Sequence, residues 1–205
     1  MIRLPATYIV RIPQSSIDES KCYACLALCA ICQDPPILSK IIETGVISSL
    51  IALLESRNTD LKRHVVFALS RLSALTAACK QMAKFQAGPR ILSKRAPLGL
   101  CERSVTYSIG VFRHLCEEGA NRDQMVAHDV VSLLSESCST AHGVERSREA
   151  ASTLCLLSLH SKEARLQMVS TMTDQMSELA QSQDVETSRF ALAAVANCAD
   201  DPSLC

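Results

Sequence analysis

Four cysteines, Cys22, Cys25, Cys29 and Cys32, lie in the run CYACLALCAIC. Thiols at C-x-x-C spacing can bind a soft metal or cycle between dithiol and disulfide, so chemistry is sought here first. A four-thiolate zinc site, with Zn–S bonds of ~2.3 Å, needs its sulfurs within about 4 Å of one another. The spacing i, i+3, i+7, i+10 puts all four on one helical stripe roughly 80° wide, with the first and last ~15 Å apart along the axis. One straight helix does not close such a site, and the run has no Gly, Pro or Asn to make a turn. Cysteine packed between helices behaves as a small hydrophobe. The stripe therefore reads as a core face. A thiol- or metal-responsive protein using Cys22 to Cys32 is the alternative, because Cys22 follows Asp18, Glu19 and Ser20 near a helix start, where a thiolate gains from the dipole.

The remaining residue types offer little chemistry. His64, His114, His128, His142 and His160 are scattered, with no H-x-x-x-H pair. No phosphate-binding glycine loop, G-x-S-x-G or H-E-x-x-H occurs. No catalytic residue, metal ligand or cofactor is assigned, and the chain is not expected to be an enzyme. Its 21 basic and 21 acidic side chains cancel, so no global field draws it to nucleic acid. No apolar run is long enough for membrane insertion, and the first residues have no signal-peptide h-region. Eleven cysteines within apolar helical patterns point to reduced thiols and an intracellular, cytoplasmic protein, with the nucleus left open.

Chemistry aside, the elements repeat. Ala68, Leu69, Leu72 and Ser73 form a frame that returns at Ala27, Leu28, Ile31 and Cys32, at Thr153, Leu154, Leu157 and Ser158, and at Ala194, Val195, Cys198 and Ala199. A weaker copy reads Val111, Phe112, Leu115 and Cys116. First positions 27, 68, 111, 153 and 194 are 41, 43, 42 and 41 residues apart. Gln-Met pairs at 81, 124 and 167 repeat at 43. The clearest unit has a short helix ending near Gly45, a left-handed cap residue. A second helix runs from Val46 to Leu54. A longer third helix follows from Leu61, with Asp60 as its expected N-cap and Val65, Ala68, Leu69 and Leu72 on one face. No such unit buries its apolar face alone, so the units must stack.

Three helices per roughly 42 residues, with IIETGVISSLIALLES, DLKRHVVFAL and DVETSRFALAAVANCA, resemble armadillo repeats. The resemblance covers about residues 17 to 205. It implies an all-α, armadillo-like α-solenoid, a right-handed superhelix of stacked three-helix repeats with about four units, partial at the ends. The expected organisation is an irregular segment over 1–16, then units at roughly 17–36 (partial), 37–78, 79–120, 121–162 and 163–205. Pro89, Pro97 and Gly99 predict a short or bent second helix in the 79–120 unit, and Gly143 a flexible point in the 135–147 loop. The third helix near 103–116 reads in two registers, led by Val111 or by Ser108.

In armadillo proteins the third helices line a surface that binds extended peptides, and importin-α-like receptors place Asn and Trp there in ladders. The matching Asn slots read Ala30, Arg71, His114, Leu156 and Asn197, and the aromatic slots Leu26, Phe67, Gly110 (or Tyr107), Ser152 and Ala193. The chain is thus not importin-α-like in its groove. The resemblance implies a non-catalytic protein–protein interaction scaffold or adaptor. It would bind a peptide or helical segment of a protein partner around Phe67, Arg71, His114 and Asn197. Arg63, Arg71, Arg103, Arg113, Arg148 and Arg189 would either favour an acidic partner or cap helices and pair with Glu. Neither end carries an obvious polar cap, so self-association through the ends, or a fragment of a longer array without independent function, is the further expectation.

Overall fold

The structure, a computed structural model, describes residues 17–31, 35–93, 102–139 and 142–202. The expected irregular segment over 1–16, together with Cys32, Pro97 and Gly99, lies outside them. The described residues are helical, without strands. Helix α1 spans Asp18–Ile31, and four triplets follow. These are α2 (Pro35–Glu43), α3 (Val46–Leu53) and α4 (Thr59–Ser73); then α5 (Thr76–Lys84), α6 (Ala87–Ser93) and α7 (Glu102–Leu115). The next are α8 (Gly119–Ala127), α9 (Val130–Ser137) and α10 (Val144–His160); then α11 (Lys162–Thr171), α12 (Thr173–Ala180) and α13 (Val185–Ala199). The chain divides into two compact units, one up to Val111 and one from Phe112.

The break between first and second helix of a triplet has one backbone solution in three of the four. Gly45 (φ 81), Gln86 (φ 54) and Asp129 (φ 64) all take the left-handed region there. Only Gly45 is a glycine, the residue for which that conformation is unstrained. Gly143, expected to be flexible, is the N-cap of α10 at φ 93, where glycine is again the natural residue. Helix α6 is short, seven residues. Pro89 falls in its first turn, where no intrahelical acceptor awaits an N–H.

Asp60 is not the N-cap of α4. Asn58 is: its backbone is extended and its Oδ1 accepts from the Leu61 N–H at 3.0 Å. Asp60 already lies within the first turn and pairs with Arg63 at 2.8 Å. Asp184 does the same for α13, accepting from Thr187 N–H at 2.9 Å, and Ser161 for α11, accepting from Ala164 N–H at 3.2 Å.

Burial decides the register of α7. Leu61, Val65, Val66, Ala68, Leu69, Leu72 and Ser73 are buried in α4. A step of 43 gives Ser104, Ser108, Ile109, Val111, Phe112, Leu115 and Cys116, and all are buried. A further step of 42 gives Arg146, Ala150, Ala151, Thr153, Leu154, Leu157 and Ser158, again all buried. Val111 therefore leads the frame. With so few aromatics in the chain, the described interior is branched aliphatic, Ala, Met and Cys, and Phe112 is the largest fully buried side chain among the described residues. Met82, Met125 and Met168 of the Gln-Met pairs are all buried, filling irregular gaps between helices.

Candidate functional site

The third helices each bury one face and leave another half-exposed. In the first compact unit that second face carries Phe67, half-buried, and Arg71, exposed one turn later on α4. The Phe67 ring packs on Tyr107 of α7, centroids 4.6 Å apart and planes tilted by 33°. One turn on, Ser70 faces Gly110, and a Cβ at Gly110 would meet the Ser70 hydroxyl at an ordinary 3.5 Å. Both contacts link residues forty apart, three fewer than the repeat step between α4 and α7. Neighbouring third helices therefore touch one turn away from their equivalent positions. The two registers legible in the sequence separate on this point: the Val111 frame relates equivalent residues, and the Ser108 frame relates touching ones.

Arg71 has no ion-pair partner among the described residues. Four of the other arginines read from the sequence, Arg63, Arg113, Arg148 and Arg189, are paired with carboxylates. Arg63 pairs with Asp60, and Arg189 with Glu186 at 3.2 Å. Both are exposed pairs within one turn and contribute little. Arg113 donates from Nε to Glu149 at 2.8 Å, and its Nη2 lies 2.8 Å from Nε2 of His114. Arg148 reaches across to Asp184 through two bonds, at 3.0 and 2.5 Å.

Two arginines that the sequence reading did not single out repeat one device. Arg122 of α8 donates to the carbonyls of Cys116 and Glu117, at 2.9 and 3.1 Å, just past the end of α7. Arg165 of α11 donates to the Ser158 carbonyl at 2.7 Å and pairs with Asp201 at 2.7 Å. The positions are one repeat apart. Each guanidinium satisfies carbonyls that a helix end leaves without intrahelical donors, at the negative end of its dipole. Only the step of 43 between two arginines hinted at this.

His114 and Asn197 belong to the second compact unit. Both are half-buried, on α7 and α13, and occupy equivalent positions on those helices. Asn197 donates from Nδ2 to the Ser158 hydroxyl at 3.0 Å, which fixes its amide against α10. An amide carries two N–H donors and a carbonyl, so this bond orients the side chain without exhausting it. Phe67 and Arg71 are brought together on α4, whereas His114 and Asn197 each stand on a separate helix.

The cysteine stripe is mainly buried: Cys25 and Cys29 are 2% and 7% exposed, and Cys22 is half-buried. Burial, then neighbouring Cys29, pushes the Cys25 thiol up to about 12. Burial also raises the Cys22 thiol, followed by the negative charges of Asp18, Asp60 and Glu19. These shifts oppose the thiolate that a reactive C-x-x-C pair requires. No cluster of three or more His, Cys, Asp or Glu among the described residues could hold a metal ion. No helix among them is long and apolar enough to cross a membrane.

No protein-family model matches the sequence, and no curated protein does. The fold does have solved counterparts. An engineered protein is 19% identical at a TM-score of 0.82, over 95% of this chain and 79% of that one. A computationally designed armadillo repeat protein for modular peptide recognition is 15% identical at 0.80, over 92% and 80%. A designed armadillo repeat protein in complex with the peptide (KR)4 is 14% identical at 0.77, over 93% and 80%. The fold is an all-α armadillo-type repeat.

Proposed function

From this armadillo-type fold, we propose that the chain is a non-catalytic scaffold or adaptor. It binds an extended or helical segment of a partner protein along its third helices. The observation that carries the reading is the repeated division of each third helix into one buried face and one half-exposed face, the arrangement shared with folds that accept peptides. Phe67, seated on Tyr107, offers a flat apolar contact at low conformational cost. Arg71, exposed one turn away, supplies a charge-assisted donor. His114 and Asn197 offer donors and acceptors to a peptide backbone at the equivalent positions of α7 and α13. With His64, Phe67 and Arg71 half-exposed or exposed on one helix, the face of α4 suits a neutral or acidic segment better than a basic one.

The test is selection of linear peptides from a displayed library against the whole chain, followed by binding titrations. Phe67→Ala and Arg71→Glu should each weaken a selected peptide by about tenfold or more, as truncation of interface anchors does. Failure to select any peptide, or selected peptides indifferent to both changes and to His114→Ala and Asn197→Ala, would overturn the assignment.

A further inference from the structure

Packing within the chain does not require a glycine at Gly110. The residue lies inside α7, and the glycines with positive φ among the described residues are Gly45 and Gly143. Glycine in a helix interior lowers stability relative to alanine, so its presence here costs the fold something. Crowding does not explain it. Outside its own helix backbone, a Cβ at Gly110 would meet one atom within 4 Å, the Ser70 hydroxyl oxygen, at an unstrained 3.5 Å.

Gly110 is half-exposed and falls 43 residues after Phe67, at the equivalent place on the next third helix. Where α4 carries a ring, α7 carries bare backbone. Tyr107, one turn earlier on the same stripe of α7, stacks on Phe67 at 4.6 Å between centroids. The ring pair therefore stands directly beside a patch without a side chain, where the backbone is open to close approach.

The charge around this patch is positive. Arg71 follows Ser70 on α4, and Arg103 lies one turn before Tyr107 on the stripe that holds Gly110. Both are exposed, and neither makes an ion pair among the described residues. Asp60, the exposed carboxylate at the start of α4, is paired with Arg63.

We propose that Gly110 is the floor of a subsite for one large apolar side chain of the partner, seated against the Phe67–Tyr107 rings, with a neighbouring Asp or Glu of the partner on Arg71. The inference rests on the peptide-binding reading of the third helices and names its ligand, an acidic segment with an apolar anchor. An incoming ring gains aromatic contact and burial that the chain's own residues leave open at this position. Charge complementarity to Arg71 and Arg103 sets the sign of the residues around it.

A displayed library with one fixed phenylalanine among randomised positions, selected on the whole chain, should return peptides enriched in Asp and Glu beside the phenylalanine. Gly110→Leu fills the floor and should weaken a selected peptide by about tenfold or more, with helicity by circular dichroism unchanged. Gly110→Ala should hold or raise the thermal midpoint and still weaken the peptide. Replacing the peptide's phenylalanine by alanine should cost affinity on the unmodified chain and little more on Gly110→Leu, because groups in contact are not additive. Arg71→Glu should turn the selected flanks from acidic to basic. Peptides that need Phe67 yet bind both Gly110 variants as well as the unmodified chain overturn this subsite while the scaffold reading stands. Basic flanks on the unmodified chain do the same. A library that returns no binder overturns both.

Discussion

Arg148 of α10 grips the carboxylate that caps α13. Its Nε and Nη2 donate to the two oxygens of Asp184, while Asp184 Oδ2 also accepts from the N–H and hydroxyl of Thr187, at 2.9 and 2.6 Å. The guanidinium first, then the Thr187 donors, hold the Asp184 carboxyl well below the usual carboxylate range. One side chain thus starts a third helix and ties it to the third helix before it. A carboxyl depressed in the folded state adds stability that is complete above its unfolded pKa of about 4 and is lost as pH falls towards the folded value. Asp184→Asn keeps a capping oxygen but gives up the ion pair. It should lower the urea midpoint at neutral pH and flatten its decline below about pH 4. An acid limb identical to that of the unmodified chain would show that the pair adds nothing.

Gln86 holds, without glycine, the left-handed conformation that Gly45 holds with it. An L-residue pays about 1–2 kcal/mol there, and glycine loses roughly 0.5–1 kcal/mol through its freer unfolded chain. The first effect is the larger, so Gln86→Gly should stabilise the chain by roughly 0.5–1 kcal/mol. Asp129→Gly should gain less, because Asp tolerates the region better. Thermal unfolding of the two variants side by side checks both the sign and the order. A lower midpoint for Gln86→Gly would mean that its side chain holds the turn in some way the backbone does not reveal.

The repeat was legible because its signal is redundant. Leu69, Phe112 and Leu154 are each buried, and they fall 43 and 42 residues apart. The half-exposed face was legible only as slots. That Asn197 is turned onto Ser158, or that Phe67 meets Tyr107 and not the ring slot at Gly110, depends on the offset between touching helices. No single unit encodes that offset. Arg122 and Arg165 escaped for a related reason. A carbonyl at the end of α7 or α10 has no signature in its own side chain, so its donor must be seen to be found.

The start of α4 gives a sharp contrast between neighbours. Asn58 supplies the capping oxygen, so Asn58→Ala should cost about 1 kcal/mol, the usual loss for a cap. Asp60 makes an exposed pair with Arg63, and Asp60→Ala should change stability by no more than about 0.5 kcal/mol. Urea unfolding of the two variants decides between Asn58 and Asp60 as the cap. Equal costs would contradict the hydrogen bond from Leu61.

The cysteines yield the last contrast, between access and acidity. Burial pushes the thiols of Cys25, Cys116 and Cys138 up to about 12. Reaction needs both a thiolate and an approach, and these three lack both at neutral pH. A disulfide reagent should modify them only after denaturation. Cys22 is the informative case. It lies beyond the first turn of α1, where the dipole has largely fallen off, and Asp18, Asp60 and Glu19 oppose its ionisation. Site-resolved alkylation by mass spectrometry should find Cys22 slower than a free thiol of pKa about 8.5. Faster reaction than that, or stoichiometric metal on the purified chain, would restore a chemical role to the Cys22–Cys32 stripe and displace the scaffold reading.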